Sequence, residues 1–204
     1  MGLNITVDGF EPDGPIPESF AFCALDGMGD NRNPRVSWTG APGGTRSFAV
    51  LCIDPDAPTD ATNVNKAGVT VPADLPRADF AHWVLVDIAS TATEIAEGAD
   101  SDAVTPGGKP TGASDLGLRG RNDYTAWFEG DADMGGTYGG YDGPCPPAND
   151  EIVHHYVFTV YALDVESLGL TGDFGAAEAM AAMDGHELGR ASVTGTYTLN
   201  PHLR

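Results

Sequence analysis

Two aspartates, two histidines and a tyrosine are the groups of this chain whose types and spacing lend themselves to one chemistry. Asp54 and Asp56 alternate with prolines in D-P-D-A-P, directly after the apolar run S-F-A-V-L-C-I. His82 stands third in F-A-H-W-V-L-V-D-I, and His154 and Tyr156 open the run V-H-H-Y-V-F-T-V-Y-A-L. A carboxylate beside an imidazole favours the imidazolium, and two such rings with a phenol hydroxyl can neutralise and hydrogen-bond a small anion. No serine or cysteine stands in a nucleophile motif and nothing marks a cofactor site, so ligand binding follows more readily than catalysis. The same residues leave an alternative open. Asp54, His82 and His154 could ligate a metal, or act as acid and base on a phosphoester.

Such groups need elements that bring them together. Residues 48–53 are too few for a buried helix and are rich in β-branched and aromatic types, which predicts a strand buried on both faces. Asp54 closes it, on the same face as Cys52, Val50 and Phe48, and Pro55 and Pro58 stiffen the corner that follows. In residues 80–88, strict alternation puts Phe80, His82, Val84, Val86 and Ile88 on one face. An antiparallel neighbour would place His82 beside Asp54. In residues 153–163, His154, Tyr156, Phe158, Val160 and Ala162 share a face that begins polar and ends apolar. Pro144, Pro146 and Pro147 precede it as a stiff wall without N–H donors.

The remaining elements read as short strands at 3–7, 20–25, 36–38 and 192–199, and one alanine-rich helix at 173–186 with Asp173 as its cap. Strand, turn and strand in this order predict an antiparallel meander. Residues 91–142 read as loop. Within them Asp131, Asp133 and Asp142 loosely resemble a calcium loop, but Gly135 occupies a ligand position and no metal is expected. Cys23, Cys52 and Cys145 have no paired spacing and read as buried free thiols.

Charge sets limits on partners. The 204 residues carry 30 acidic against 10 basic groups, a net of −20, so nucleic acid and anionic membrane surfaces are poor partners. The acids are spread along the chain, while long apolar side chains give way to Ala, Gly and Val. That is the pattern of a halophilic protein, whose carboxylate repulsion is screened by molar salt. The apolar content suits one domain spanning residues 1–204. No signal-type start or membrane-length apolar run is present, and a cytoplasmic protein is expected.

Taken in order, D-P-D-A-P at 54–58, H-W at 82–83, G-P-C-P-P at 143–147 and H-x-Y at 154–156 resemble the phosphatidylethanolamine-binding proteins, most of all their bacterial and archaeal, Raf kinase inhibitor-like branch. The resemblance implies a β-sandwich of one large antiparallel sheet and a smaller one, with a few short helices. It implies an anion pocket lined by Asp54, Asp56, His82, Pro146, His154 and Tyr156, with backbone from Gly143 to Pro147. Phosphate, acetate or a phosphoethanolamine head group would be its ligand, without a cofactor. A homodimer, and inhibition of a kinase or protease, are further implications. This chain departs from the pattern at His155, where arginine is usual, and in a longer glycine-rich insertion before Tyr141. Both departures fall on the rim.

Overall fold

Where the side chains of a strand alternate between two covered faces, the strand reads as a continuous apolar run, and this fold is built around such a strand. A computed structural model describes residues 2–204. Its strands are β1 (Asn4–Val7), β2 (Cys23–Ala24), β3 (Gly27–Met28), β4 (Val36–Thr39), β5 (Ser47–Pro58), β6 (Arg77–Ala89), β7 (Glu94–Ile95), β8 (Gly112–Ala113), β9 (Leu118–Arg119), β10 (His154–Leu163) and β11 (Glu187–Tyr197). The α-helices are α1 (Tyr124–Trp127) and α2 (Ala176–Met183). A six-stranded antiparallel sheet runs β11-β10-β5-β6-β9-β8, a three-stranded sheet runs β1-β4-β7, and β2-β3 form a hairpin.

The central strand β5 explains its own sequence. Phe48, Val50 and Cys52 point into the core shared with Val7, Val36 and Trp38 of the smaller sheet. Ala49 and Leu51 point the other way, into a second core closed by Phe174 and by Ala179 and Met183 of α2. The β-sandwich expected from the sequence is therefore present, but it is no meander. β10 lies between β5 and β11, and β1 and β4 belong to the other sheet.

Alternation fails in β6. Opposite it on β5, Cys52 pairs with Trp83 but Ile53 pairs with Ala81, so His82 is the extra residue of a bulge. A second irregularity lies near Asp87, whose φ is +55°. Val84 and Val86 consequently face α2, while Trp83, Leu85 and Ile88 face the inter-sheet core. A bulge shifts the two-residue period by one, which a reading of strict alternation does not foresee.

Other expectations are corrected too. Residues 20–25 give a 3-10 turn at Glu18–Phe20 and the two residues of β2 in place of one strand. The helix begins at Ala176 with Gly175 as its cap, whose N–H donates to the Glu178 carboxylate at 2.9 Å. Asp173 instead pairs with Arg121. Residues 91–142 contain β7, β8, β9 and α1. Cys23 and Cys145, 122 positions apart, form a disulfide with their Cα atoms 4.8 Å apart, and Cys52 alone is a buried free thiol. Sequence spacing carries no sign of a pairing made by tertiary folding. No helix among the described residues is long and apolar enough to cross a membrane.

Candidate functional site

The bulge at His82, the end of β5 and the start of β10 converge on a cavity of about 130 Å³. Asp54, His82, His154 and Tyr156 line it, with Phe80, Tyr124, Pro146 and Pro147. Asp54, His82, His154 and Tyr156 are four of the five residues singled out by type and spacing, and all four are buried.

His154 is held from both sides. Its Nδ1 donates to Asp54 at 2.7 Å and its Nε2 to Asp150 at 3.1 Å. Asp150 in turn accepts two hydrogen bonds from the Arg77 guanidinium, at 2.6 and 2.9 Å. Burial alone would strip the imidazolium of its proton, but Asp150 and Asp54 outweigh it and hold the His154 pKa at about 9. Burial also opposes ionisation of Asp150, yet His154 and Arg77 bring its pKa down to about 2. With two cations and two carboxylates the chain Asp54, His154, Asp150, Arg77 is neutral. His154 thus keeps no N–H for a ligand and no lone pair for a metal or a proton, which differs from the role its type suggests.

His82 is the opposite case. Its Nδ1 donates to the backbone carbonyl of Asp142 at 2.8 Å, while the Asp142 N–H donates to the His82 carbonyl at 2.9 Å. That double link fixes the ring, and among the described residues its Nε2 has no hydrogen-bond partner. Burial pushes its pKa down and the Asp54 charge opposes this, so the ring is neutral at pH 7 with a bare Nε2. The Tyr156 ring lies edge-on to it at 5.0 Å. The Tyr156 hydroxyl is buried and has no hydrogen-bond partner among the described residues.

Not every expected residue meets the cavity. The Asp56 carboxylate accepts from the backbone N–H and the ring Nδ1 of His155, at 2.8 and 2.7 Å, on the exposed side of the strand. The Gly143 N–H donates to Asn31 and its carbonyl accepts the Tyr124 hydroxyl, so neither faces a ligand. Gly143 serves by smallness, since a Cβ there would collide with the carbonyl of Phe20. Pro146 and Pro147 form the expected wall, stapled by the disulfide at Cys145. Further liners, Ala57, Pro58, Val64, Asn65 and Trp127, come from a strand end, a loop and the four-residue helix α1, none of which carries a periodic signal. Asp150 and Arg77 were also invisible, because a carboxylate four residues before a histidine has no meaning until the chain turns back. Asp131 accepts from the N–H groups of Asp133 and Met134 and closes a turn.

Comparison with known proteins places this geometry among relatives. The family described as phosphatidylethanolamine-binding protein matches residues 6–198. A UPF0098 protein of Methanothermobacter thermautotrophicus is 30% identical over 195 residues, covering 96% of this chain and 98% of that one. The UPF0098 protein YbhB of Escherichia coli is 32% identical over 185 residues, covering 90% and 92%. The crystal structure of E. coli YbcL, described as a new member of the mammalian PEBP family, superposes with a TM-score of 0.71 at 25% identity, covering 97% of this chain and 99% of that one.

Proposed function

This chain belongs to the phosphatidylethanolamine-binding protein family, and from that premise we propose that it is a non-catalytic binding protein whose cavity takes a small oxyanion together with one proton. The ligand is phosphate, acetate or a phosphate-bearing head group. The observation that carries this reading is the buried Tyr156 hydroxyl without a partner. Leaving such a group unpaired costs about 1–3 kcal/mol, and a ligand oxygen within reach would relieve it. Beside it stands the free Nε2 of His82, which becomes a second donor once protonated.

The proton follows from charge. The Asp54, His154, Asp150, Arg77 chain is neutral, so an anion entering the cavity is balanced by protonation of His82. Binding therefore weakens as pH rises above the His82 pKa, which lies below 6.5. A metal site built on Asp54, His82 and His154 would need a lone pair on His154, and both of its nitrogens are already donating to carboxylates.

Sulfate isolates the effect because it has no proton to lose near neutrality. Its dissociation constant is expected to rise about tenfold per pH unit between about pH 6.5 and 8, the signature of one proton. In His82→Gln the slope should vanish. A flat profile in the wild type, or a slope that survives the substitution, removes the proton-coupled site.

A further inference from the structure

The insertion before Tyr141 has a structure that bears on the ligand. Asp123 anchors it to β6: its N–H donates to the Ala81 carbonyl at 2.9 Å and its carboxylate accepts the Ala81 N–H at 2.6 Å. That pairing sets α1 beside His82, with the Tyr124 ring edge-on to the imidazole at 5.5 Å. One helical turn on, Trp127 lies at i+3 on the same side and lines the cavity as well. Behind α1, Phe128, Met134 and Tyr138 pack with Phe22 and Tyr124, and the Tyr138 hydroxyl donates to the Met134 carbonyl at 2.6 Å. The glycine-rich tract is thus a folded brace for a four-residue helix.

Trp127 differs from the other tryptophans. Trp38 and Trp83 are 3% and 0% exposed, whereas Trp127 is 47% exposed. A large apolar face is therefore left in water at the edge of a cavity that also holds an unpaired hydroxyl. The buried polar groups of the cavity are Asp54, His82, His154 and Tyr156, with the exposed Asn65 at the rim; Val64, Phe80, Pro146 and Trp127 make most of the remaining wall apolar. A bare phosphate would turn some of its oxygens towards those apolar walls, where they find no donor. A phosphate carrying an organic group would seat its oxygens at Tyr156 and His82 and its substituent against the indole.

We propose that Trp127 is a specificity-determining residue and that the cavity selects small soluble phosphate monoesters with an aromatic or apolar substituent over inorganic phosphate. This rests on the oxyanion reading above and names the class of ligand for the same site. A soluble source fits the net charge of −20, which disfavours approach to anionic membranes.

The test compares phenyl phosphate, phosphoethanolamine and inorganic phosphate by calorimetry in the wild type, Trp127→Ala and Trp127→Phe. Phenyl phosphate is expected to bind the wild type about tenfold more tightly than inorganic phosphate, as ring stacking would provide. Trp127→Ala should abolish that advantage by weakening phenyl phosphate about tenfold more than inorganic phosphate, and Trp127→Phe should restore most of it. Phenyl phosphate should also alter tryptophan emission, through the one exposed indole. Equal wild-type affinity for phenyl and inorganic phosphate overturns the proposal, as does equal weakening of both ligands in Trp127→Ala. A preference for phosphoethanolamine overturns the apolar class in favour of a cationic substituent. Pelleting with phosphatidylethanolamine vesicles, if lost in Trp127→Ala, overturns the soluble source. Binding of inorganic phosphate without selectivity would sink the Trp127 proposal alone, whereas no binding of any of the three would take the oxyanion reading with it.

Discussion

Replacing Tyr156 by phenylalanine should make this protein more stable and a poorer binder at once. Removing a buried tyrosine hydroxyl ordinarily breaks a hydrogen bond and costs about 0.5–1.5 kcal/mol. Here the hydroxyl is buried and unpaired, so the folded state already bears its desolvation, about 1–3 kcal/mol. Phenylalanine keeps the ring and its edge-on packing against His82 while deleting only that atom. Unfolding in urea, without phosphate or sulfate, should show Tyr156→Phe gaining about 1 kcal/mol over the wild type with an unchanged slope. Saturating phosphate should narrow the gap, because the ligand stabilises the wild type through its affinity. Phosphate affinity itself should fall about ten- to a hundredfold by calorimetry, the worth of one hydrogen bond to a charged group. A variant less stable than the ligand-free wild type would refute the reasoning, since the hydroxyl would then have a partner within the protein.

Three further outcomes follow from other parts of the structure. Because the folded-state pKa of His154 is raised to about 9 from 6.5, its contribution is whole below about pH 6.5 and is lost as pH rises through 9. The unfolding free energy from urea titrations should fall across that window by a total of about 3 kcal/mol, and an unchanged value would contradict the clamp between Asp54 and Asp150. With 30 acidic and 10 basic residues, the melting temperature should climb as KCl is raised from about 0.1 to 2 M, and an unchanged value would sink the salt-adapted reading. The Cys23→Ser, Cys145→Ser double variant should lose about 2–4 kcal/mol in urea, a loss matched by dithiothreitol on the wild type; insensitivity to both would show that the pairing adds no stability.

Much of the site was legible because its residues sit on strands whose neighbours could be guessed. Asp54 ends an apolar run, and His154 and Tyr156 open another. The pairing of β5 with both β6 and β10 then brings these residues and His82 to one end of the sheet. Their types were readable, but their protonation was not. His154 and His82 look alike in sequence, both among apolar residues near a strand's start, yet one is a buried imidazolium and the other a buried neutral ring. The difference lies in the carboxylates of Asp150 and Asp54, which hold the proton on the first ring against burial, and in burial without such a clamp for the second.

Local physics is what the sequence by itself determined. Periodicity fixed which of the long apolar runs became strands, and prolines fixed the stiff corner and wall. Tertiary structure alone decided the bulge that turns His82 to the cavity, the Cys23–Cys145 pairing, the withdrawal of Asp56 to His155, and the delivery of Trp127 to the rim. Each of these depends on groups far apart in the chain whose encounter sets hydrogen bonding, burial and charge. A sequence read through its neighbours at two or four residues carries no record of them.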